Sequence, residues 1–319
     1  MKTVFRCVAA LLVLASGPAL GADERPRVVT TIAMIADVAH NVAGDCAQMT
    51  ALMGPGVDPH LYEARASDIK RLSNADAIMY AGFSLEGQMA SVLQKLGSRK
   101  PSVAVGPASF DESDLISHED YAIDPHLWMD VGLWSRIVPA ITDQLAVLAP
   151  DCEPSMRQRA ASYREQLDAL DSWIGESIAT IPQEQRILVT AHDAFGYYGL
   201  AYGIEVKGIQ GISTDSEAAI ADIREMVNTV VERDVPAVFV ESTINPRTIN
   251  SVIDAAREKG HKVRVGGELF SDAMGEDGTA EGTYIGMLRA NTVAIVRGLN
   301  GDLAPWPEKL ADWKQRWMQ

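Results

Sequence analysis

Short apolar runs rich in β-branched residues alternate along the chain with longer stretches whose apolar positions recur every three or four residues. The short runs fall at residues 28–32, 48–53, 77–80, 103–105, 187–191, 204–206, 237–240 and 263–265, each bounded by Gly, Pro, Asp or Asn. They predict strands, and the stretches between them predict helices. Continuous apolar strands separated by helices are what a parallel sheet covered on both faces requires. Helix starts are legible too. Thr214-Asp215-Ser216-Glu217 reads as a capping box ahead of Ile220, Ile223, Val227 and Val230 at helical spacing.

One stretch departs from this rhythm. From Pro154 to about Thr180 the only glycine is Gly175, and Tyr163, Leu167, Leu170, Ile174, Ile178 and Ile181 form a single apolar stripe. At about 1.5 Å per residue this predicts a helix of roughly 40 Å, longer than a small domain is wide. A helix of that length in mid-chain reads as a rigid strut between two α/β lobes with mainly parallel sheets flanked by helices. The expected division is residues 23–152 for the first lobe, 153–182 for the linker helix and 183–319 for the second lobe.

Residues 1–22 stand apart from that plan. Lys2 and Arg6 give a basic start, residues 7–15 an apolar run, Gly17-Pro18 a break, and Ala19-Leu20-Gly21-Ala22 small residues before Asp23. This is the pattern of a cleaved signal peptide and predicts a periplasmic protein. The run is too short for a membrane span, which needs about 20 apolar residues. Cys7 lacks the preceding small and apolar residues of a lipid-attachment site, so a free, soluble mature chain is expected. With 28 Lys and Arg against 43 Asp and Glu, the net charge of −15 repels phosphate backbones, and no nucleic-acid partner is expected. Cys46 and Cys152 remain after the signal; an oxidising compartment permits a bridge between them without requiring one.

The candidate chemistry lies in the histidines. Asp58-Pro59-His60 and Asp124-Pro125-His126 repeat one tripeptide, in which proline stiffens the backbone ahead of the imidazole. His192 follows the apolar run 187–191, at the carboxyl end of a strand, where open α/β sheets place their ligands. After the run 263–265, residues 266–272 read as a loop softened by Gly266 and Gly267 and ending in Asp272. Imidazoles with one carboxylate suit zinc, manganese or iron, and an ion held by His60, His126, His192 and Asp272 would bridge the two lobes. Spacing alone leaves isolated surface or core histidines as an equal alternative. Glu241 and Trp128 stand near these positions, either orienting them or serving as a loop cap and core residue.

Four segments carry a resemblance. Gly56-Val57-Asp58-Pro59-His60, Asp124-Pro125-His126-Leu127-Trp128, Thr190-Ala191-His192-Asp193-Ala194-Phe195-Gly196-Tyr197 and Gly267-Glu268-Leu269-Phe270-Ser271-Asp272-Ala273-Met274-Gly275 occur in that order. With Glu281-Gly282-Thr283-Tyr284, they resemble motifs of the metal-specific substrate-binding proteins of ABC transporters, a zinc- and manganese-binding family. The resemblance spans essentially the whole mature chain. It implies two α/β lobes joined by one long helix, with the ion in the cleft held by His60, His126, His192 and Asp272. Some manganese- and iron-binding relatives have glutamate where this chain has His192. Many zinc-specific relatives carry a long His- and Asp-rich loop, whereas residues 111–120 are short here and hold only His118.

The expected function is a monomeric periplasmic receptor, not an enzyme, that hands a divalent ion to the membrane permease of an ABC transporter. Three nitrogen donors and one oxygen favour Zn2+, with Mn2+ possible. The alternative is a secreted zinc-dependent hydrolase, with three histidines on the metal and Asp272, Glu241 or Asp193 as base; no HExxH motif supports it. The glycines of residues 266–272 make Asp272 the expected mobile gate for metal release.

Overall fold

A computed structural model describes residues 25–118 and 122–318 of the chain. Residues 1–22, expected to be a signal peptide, lie outside the described residues. Strands β1 (Arg27–Ile32), β2 (Gln48–Met53), β3 (Ala77–Tyr80) and β4 (Ser102–Ala104) form a parallel sheet in the order β2-β1-β3-β4. β1 is buried from Val28 onward, as the continuous apolar run requires. The helix Ala33–Ala43 follows β1 at once and buries Met34, Ile35, Val38, Ala39 and Val42. A small antiparallel pair, β5 (Ser117–His118) and β6 (Ala122–Ile123), precedes the second Asp-Pro-His tripeptide.

The second half of the chain contributes two parallel pairs. β7 (Ile187–His192), buried at every position, pairs with β8 (Glu205–Gln210), with His192 opposite Gln210. β9 (Ala237–Glu241) pairs with β10 (Arg264–Leu269) and also lies against β7. The fold is therefore α/β, with parallel sheets flanked by helices.

The long helix spans Glu153–Ile178, 26 residues, or about 39 Å. Its stripe is buried as the periodicity predicts, from Tyr163 through Leu167, Leu170 and Ile174 to Ile178. It packs against the helices Ala33–Ala43 and Val138–Leu148 of the first half and Gly196–Tyr202 and Tyr284–Gly298 of the second. One apolar core accordingly runs from β1 through this helix to Leu188, Phe239 and Trp313. A second cluster, including Val189, Val227 and Ile249, lies within the second half. The bridge left open by the sequence is present: Cys46 is bonded to Cys152, tying the turn after the helix Ala33–Ala43 to the start of the long helix. Arg159 reinforces that corner by donating to the carbonyls of Val42 and Ala43, each at 2.7 Å.

Two local expectations are corrected. The helix after the expected capping box is Ile220–Glu232, and its first turn is closed by Asp222, which accepts the Ala219 N–H at 2.9 Å. Thr214 and Ser216 lie in a loop instead, because Gln210 Nε2 binds both their carbonyl oxygens and Thr214 turns its hydroxyl to Asp58. Gly266 and Gly267, expected to soften a loop, lie inside β10. A Cβ on Gly266 would stand 2.5 Å from the Phe239 ring, and one on Gly267 3.0 Å from the Ala294 methyl. These glycines let β10 press against β9 and the helix Tyr284–Gly298, and their role is close packing rather than pliability. Ser271 and Asp272, just beyond the strand, are 0% and 2% exposed, which removes the basis for a mobile Asp272 gate.

Candidate metal centre

Each of the four predicted residues is set by a different part of the backbone. In both Asp-Pro-His tripeptides the aspartate carboxylate accepts the N–H of the histidine two residues on, at 2.8 Å from Asp58 to His60 and 3.0 Å from Asp124 to His126. Proline has no N–H to compete for that carboxylate, so the tripeptide closes as an Asx turn that aims the imidazole. Asp124 goes further and also holds His126 Nδ1 at 2.7 Å. His192 ends β7, and Glu241, at the end of neighbouring β9, holds it twice. Oε1 accepts its N–H at 2.9 Å, and Oε2 stands 2.5 Å from Nδ1. With Nδ1 engaged, the Nε2 atoms of His126 and His192 are turned to one point.

At that point the four side chains meet. His60 Nε2 and His126 Nε2 are 3.3 Å apart. Asp272 Oδ1 is 3.3 Å from His126 Nε2, and Oδ2 is 3.3 Å from His192 Nε2 and 3.6 Å from His60 Nε2. An ion with tetrahedral bonds of about 2.0–2.1 Å needs donor atoms about 3.3–3.4 Å apart. The three separations of 3.3 Å fall at that value, and the His60–Asp272 separation of 3.6 Å lies a little above it. All four residues are buried, at 3%, 0%, 0% and 2% exposure for His60, His126, His192 and Asp272. Among the described residues they are the one group of three or more metal-type side chains with donor atoms all within 4.8 Å of one another. Asp272 Oδ1 and Oδ2 and His192 Nε2 are buried without hydrogen-bond partners among the described residues, an arrangement that only a cation or protons would compensate.

The electrostatics follow from that crowding. Burial pulls His60 down to about 4. Burial would also lower His126, but Asp124 and Asp272 outweigh it and hold it up at about 9. Glu241 and Asp272 likewise overcome burial at His192 and hold it well above its usual value. Burial alone would raise Asp272, and the neighbouring His192 and His126 instead keep its carboxyl well below the usual range.

Trp128 and Glu241 resolve into definite roles. Glu241 clamps His192. Trp128 is fully buried, edge-on to His126, and its Nε1–H donates to the Ser271 carbonyl at 2.8 Å. Tyr284 Oη donates in turn to the Trp128 carbonyl at 2.7 Å. Trp128 is thus at once core and a tie between the segments carrying His126 and Asp272. Sequence reasoning missed the carboxylates of Asp58 and Asp124, crediting the stiffness of the tripeptides to proline alone. The signal was present in the Asp two residues before each His.

Three imidazoles and one carboxylate, from both halves of an α/β chain with a long central helix, thus form a buried group of metal-type donors. The chain matches the model of the family zinc-uptake complex component A, periplasmic, over residues 28–298, and it belongs to that family of metal-binding substrate-binding proteins of ABC transporters. It is 48% identical over 278 residues to the zinc-binding protein TroA of Treponema pallidum, covering 87% of this chain and 90% of that one. It is 46% identical over 278 residues to the manganese-binding lipoprotein MntA of Bacillus subtilis, with 87% and 91% covered. The solved structure of the periplasmic zinc-binding TroA superposes with a TM-score of 0.84 at 47% identity, covering 86% of this chain and 99% of that one.

Proposed function

We propose that this chain captures a divalent transition ion on His60, His126, His192 and Asp272 and delivers it to the membrane permease of an ABC transporter. The observation that carries this reading is the convergence of four buried metal-type side chains whose donor atoms all lie within 4.8 Å of one another. Zinc is the preferred cargo and manganese an accepted one. Three nitrogens and one oxygen bind zinc more tightly than manganese by the intrinsic order of divalent ions. The names of the two relatives divide between these metals. The protein works in the periplasm after loss of residues 1–22, as a monomer, and takes no nucleic acid. Residues 23–152 and 183–319 act as its two lobes, with residues 153–182 as the linker.

Its role is binding rather than catalysis. The hydrolase reading offered Asp272, Glu241 or Asp193 as a general base; Asp272 faces all three imidazoles, Glu241 is spent on His192, and no HExxH motif supports a catalytic site around Asp193. Competition titrations of purified protein with zinc against manganese test the proposal. One ion per chain with zinc winning is expected, and it should be lost in His126→Ala. Binding of neither ion would defeat it.

A further inference from the structure

The four donor residues are sealed from solvent, so an ion reaches or leaves them only when part of the surrounding wall moves. Asp272 follows a strand packed against Phe239 and Ala294, while His126 and His192 are clamped by Asp124 and Glu241. Another part of the surroundings is the loop that carries His60. There, among the described residues, a side-chain hydrogen bond joins the two halves of the chain. The Thr214 hydroxyl donates to Asp58 Oδ2 at 2.6 Å, across 156 residues of sequence.

Asp58 is shared. Its Oδ1 accepts the His60 N–H at 2.8 Å while Oδ2 takes Thr214. Thr214, 7% exposed, is held from behind by Gln210 Nε2, which binds the carbonyls of Thr214 and Ser216 at 3.2 and 2.5 Å. Gln210 is the residue opposite His192 in the β7–β8 pair. An unbroken series of bonds therefore runs from His60 through Asp58, Thr214 and Gln210 to the strand that ends in His192. Outside it lies an open pocket of about 400 Å³, with Asp58, Leu61, Gln210, Thr214, Thr243 and Ile244 in its lining. Both partners of the Asp58–Thr214 bond line this pocket, and Asp58 is two residues from His60.

We propose that the Asp58–Thr214 hydrogen bond is the latch that sets how fast the ion exchanges, and that the site opens toward this pocket when the bond breaks. The inference rests on the reading that the four residues hold the ion. A hydroxyl-to-carboxylate bond is charge-assisted and among the stronger kinds. Because opening precedes both capture and release, the latch governs both rates together and leaves their ratio, the affinity, nearly unchanged. Asp58 and Thr214 are positioning residues that act through His60.

Thr214→Val removes the hydroxyl at nearly constant volume, and Thr214→Ser restores it. Stopped-flow zinc capture, and release into excess chelator, can be followed by tryptophan fluorescence. Thr214→Val should exchange about tenfold faster in both directions. Its Kd should stay within about threefold of the parent, and Thr214→Ser should behave as the parent. Parental rates in Thr214→Val, or faster release with unchanged capture, would overturn the latch. His192→Ala, measured at equilibrium, separates the two readings. If the parent binds zinc and His192→Ala does not, the ligand set stands whatever the latch does; a parent that binds no zinc removes the ligand set and the latch together.

Discussion

Glu241→Gln is the substitution whose effect the geometry defines most sharply. Glu241 is 3% exposed; its Oε1 accepts the His192 backbone N–H, and its Oε2 stands 2.5 Å from His192 Nδ1 as an ion-pair contact. Glutamine preserves the shape but offers one acceptor oxygen. Whichever way its amide turns, the NH2 group faces one of the two His192 donors, and a buried donor goes unpaired. The negative charge that makes His192 a more basic ligand is lost as well. Partners of this kind are worth about 10- to 100-fold in metal affinity, or about 1.4 to 2.7 kcal/mol. Competition against a chromophoric zinc chelator at neutral pH reads the loss directly, with His192→Ala as the reference for losing the ligand itself. Thermal melts of metal-free protein separate a binding defect from a folding defect. An affinity for Glu241→Gln within about twofold of the parent, well short of the expected loss, would show that this clamp does not tune the site.

Three further outcomes follow from particular contacts. Trp128→Phe strips the donor from the Ser271 carbonyl and also shrinks a fully buried side chain, so urea unfolding should show a loss of at least about 1–3 kcal/mol, and an unchanged midpoint would contradict the tie. Gly266→Ala forces a methyl against Phe239, which should cost about 1–3 kcal/mol by the same measurement; a neutral result would restore the pliable-loop reading. His126, at about 9, and His192, held well above its usual value, carry protons at pH 7 that an incoming ion must displace, whereas His60, near 4, is already neutral. Affinity should therefore weaken as pH falls, and calorimetry in buffers of different ionisation enthalpy should report about two protons released per zinc at pH 7; none released would exclude this charge arrangement.

Much of this architecture is written in local sequence. Strands β2 and β3 begin and end where the apolar runs do, and the buried stripe of the long helix is its three- and four-residue pattern. Turn chemistry and strand ends are local as well, which is why His60, His126 and His192 stand out among the six histidines of the chain. What escaped depends on partners far along the chain. Gly266 looks like a flexible position until Phe239 is seen against it. Thr214 looks like a helix cap until Asp58, 156 residues away, takes its hydroxyl. Trp128 could be core or a positioning residue until Ser271 arrives beside it, 143 residues on. The bond between Cys46 and Cys152 likewise needed the corner where the start of the long helix meets the end of the helix Ala33–Ala43.

If one ion sits among His60, His126, His192 and Asp272, anomalous diffraction at the zinc edge from crystals grown with one equivalent of zinc will locate it. A single peak is expected about 2.0–2.2 Å from the three Nε2 atoms and from an Asp272 carboxylate oxygen. A peak anywhere else, or one with any of these four atoms outside bonding distance, would contradict that placement.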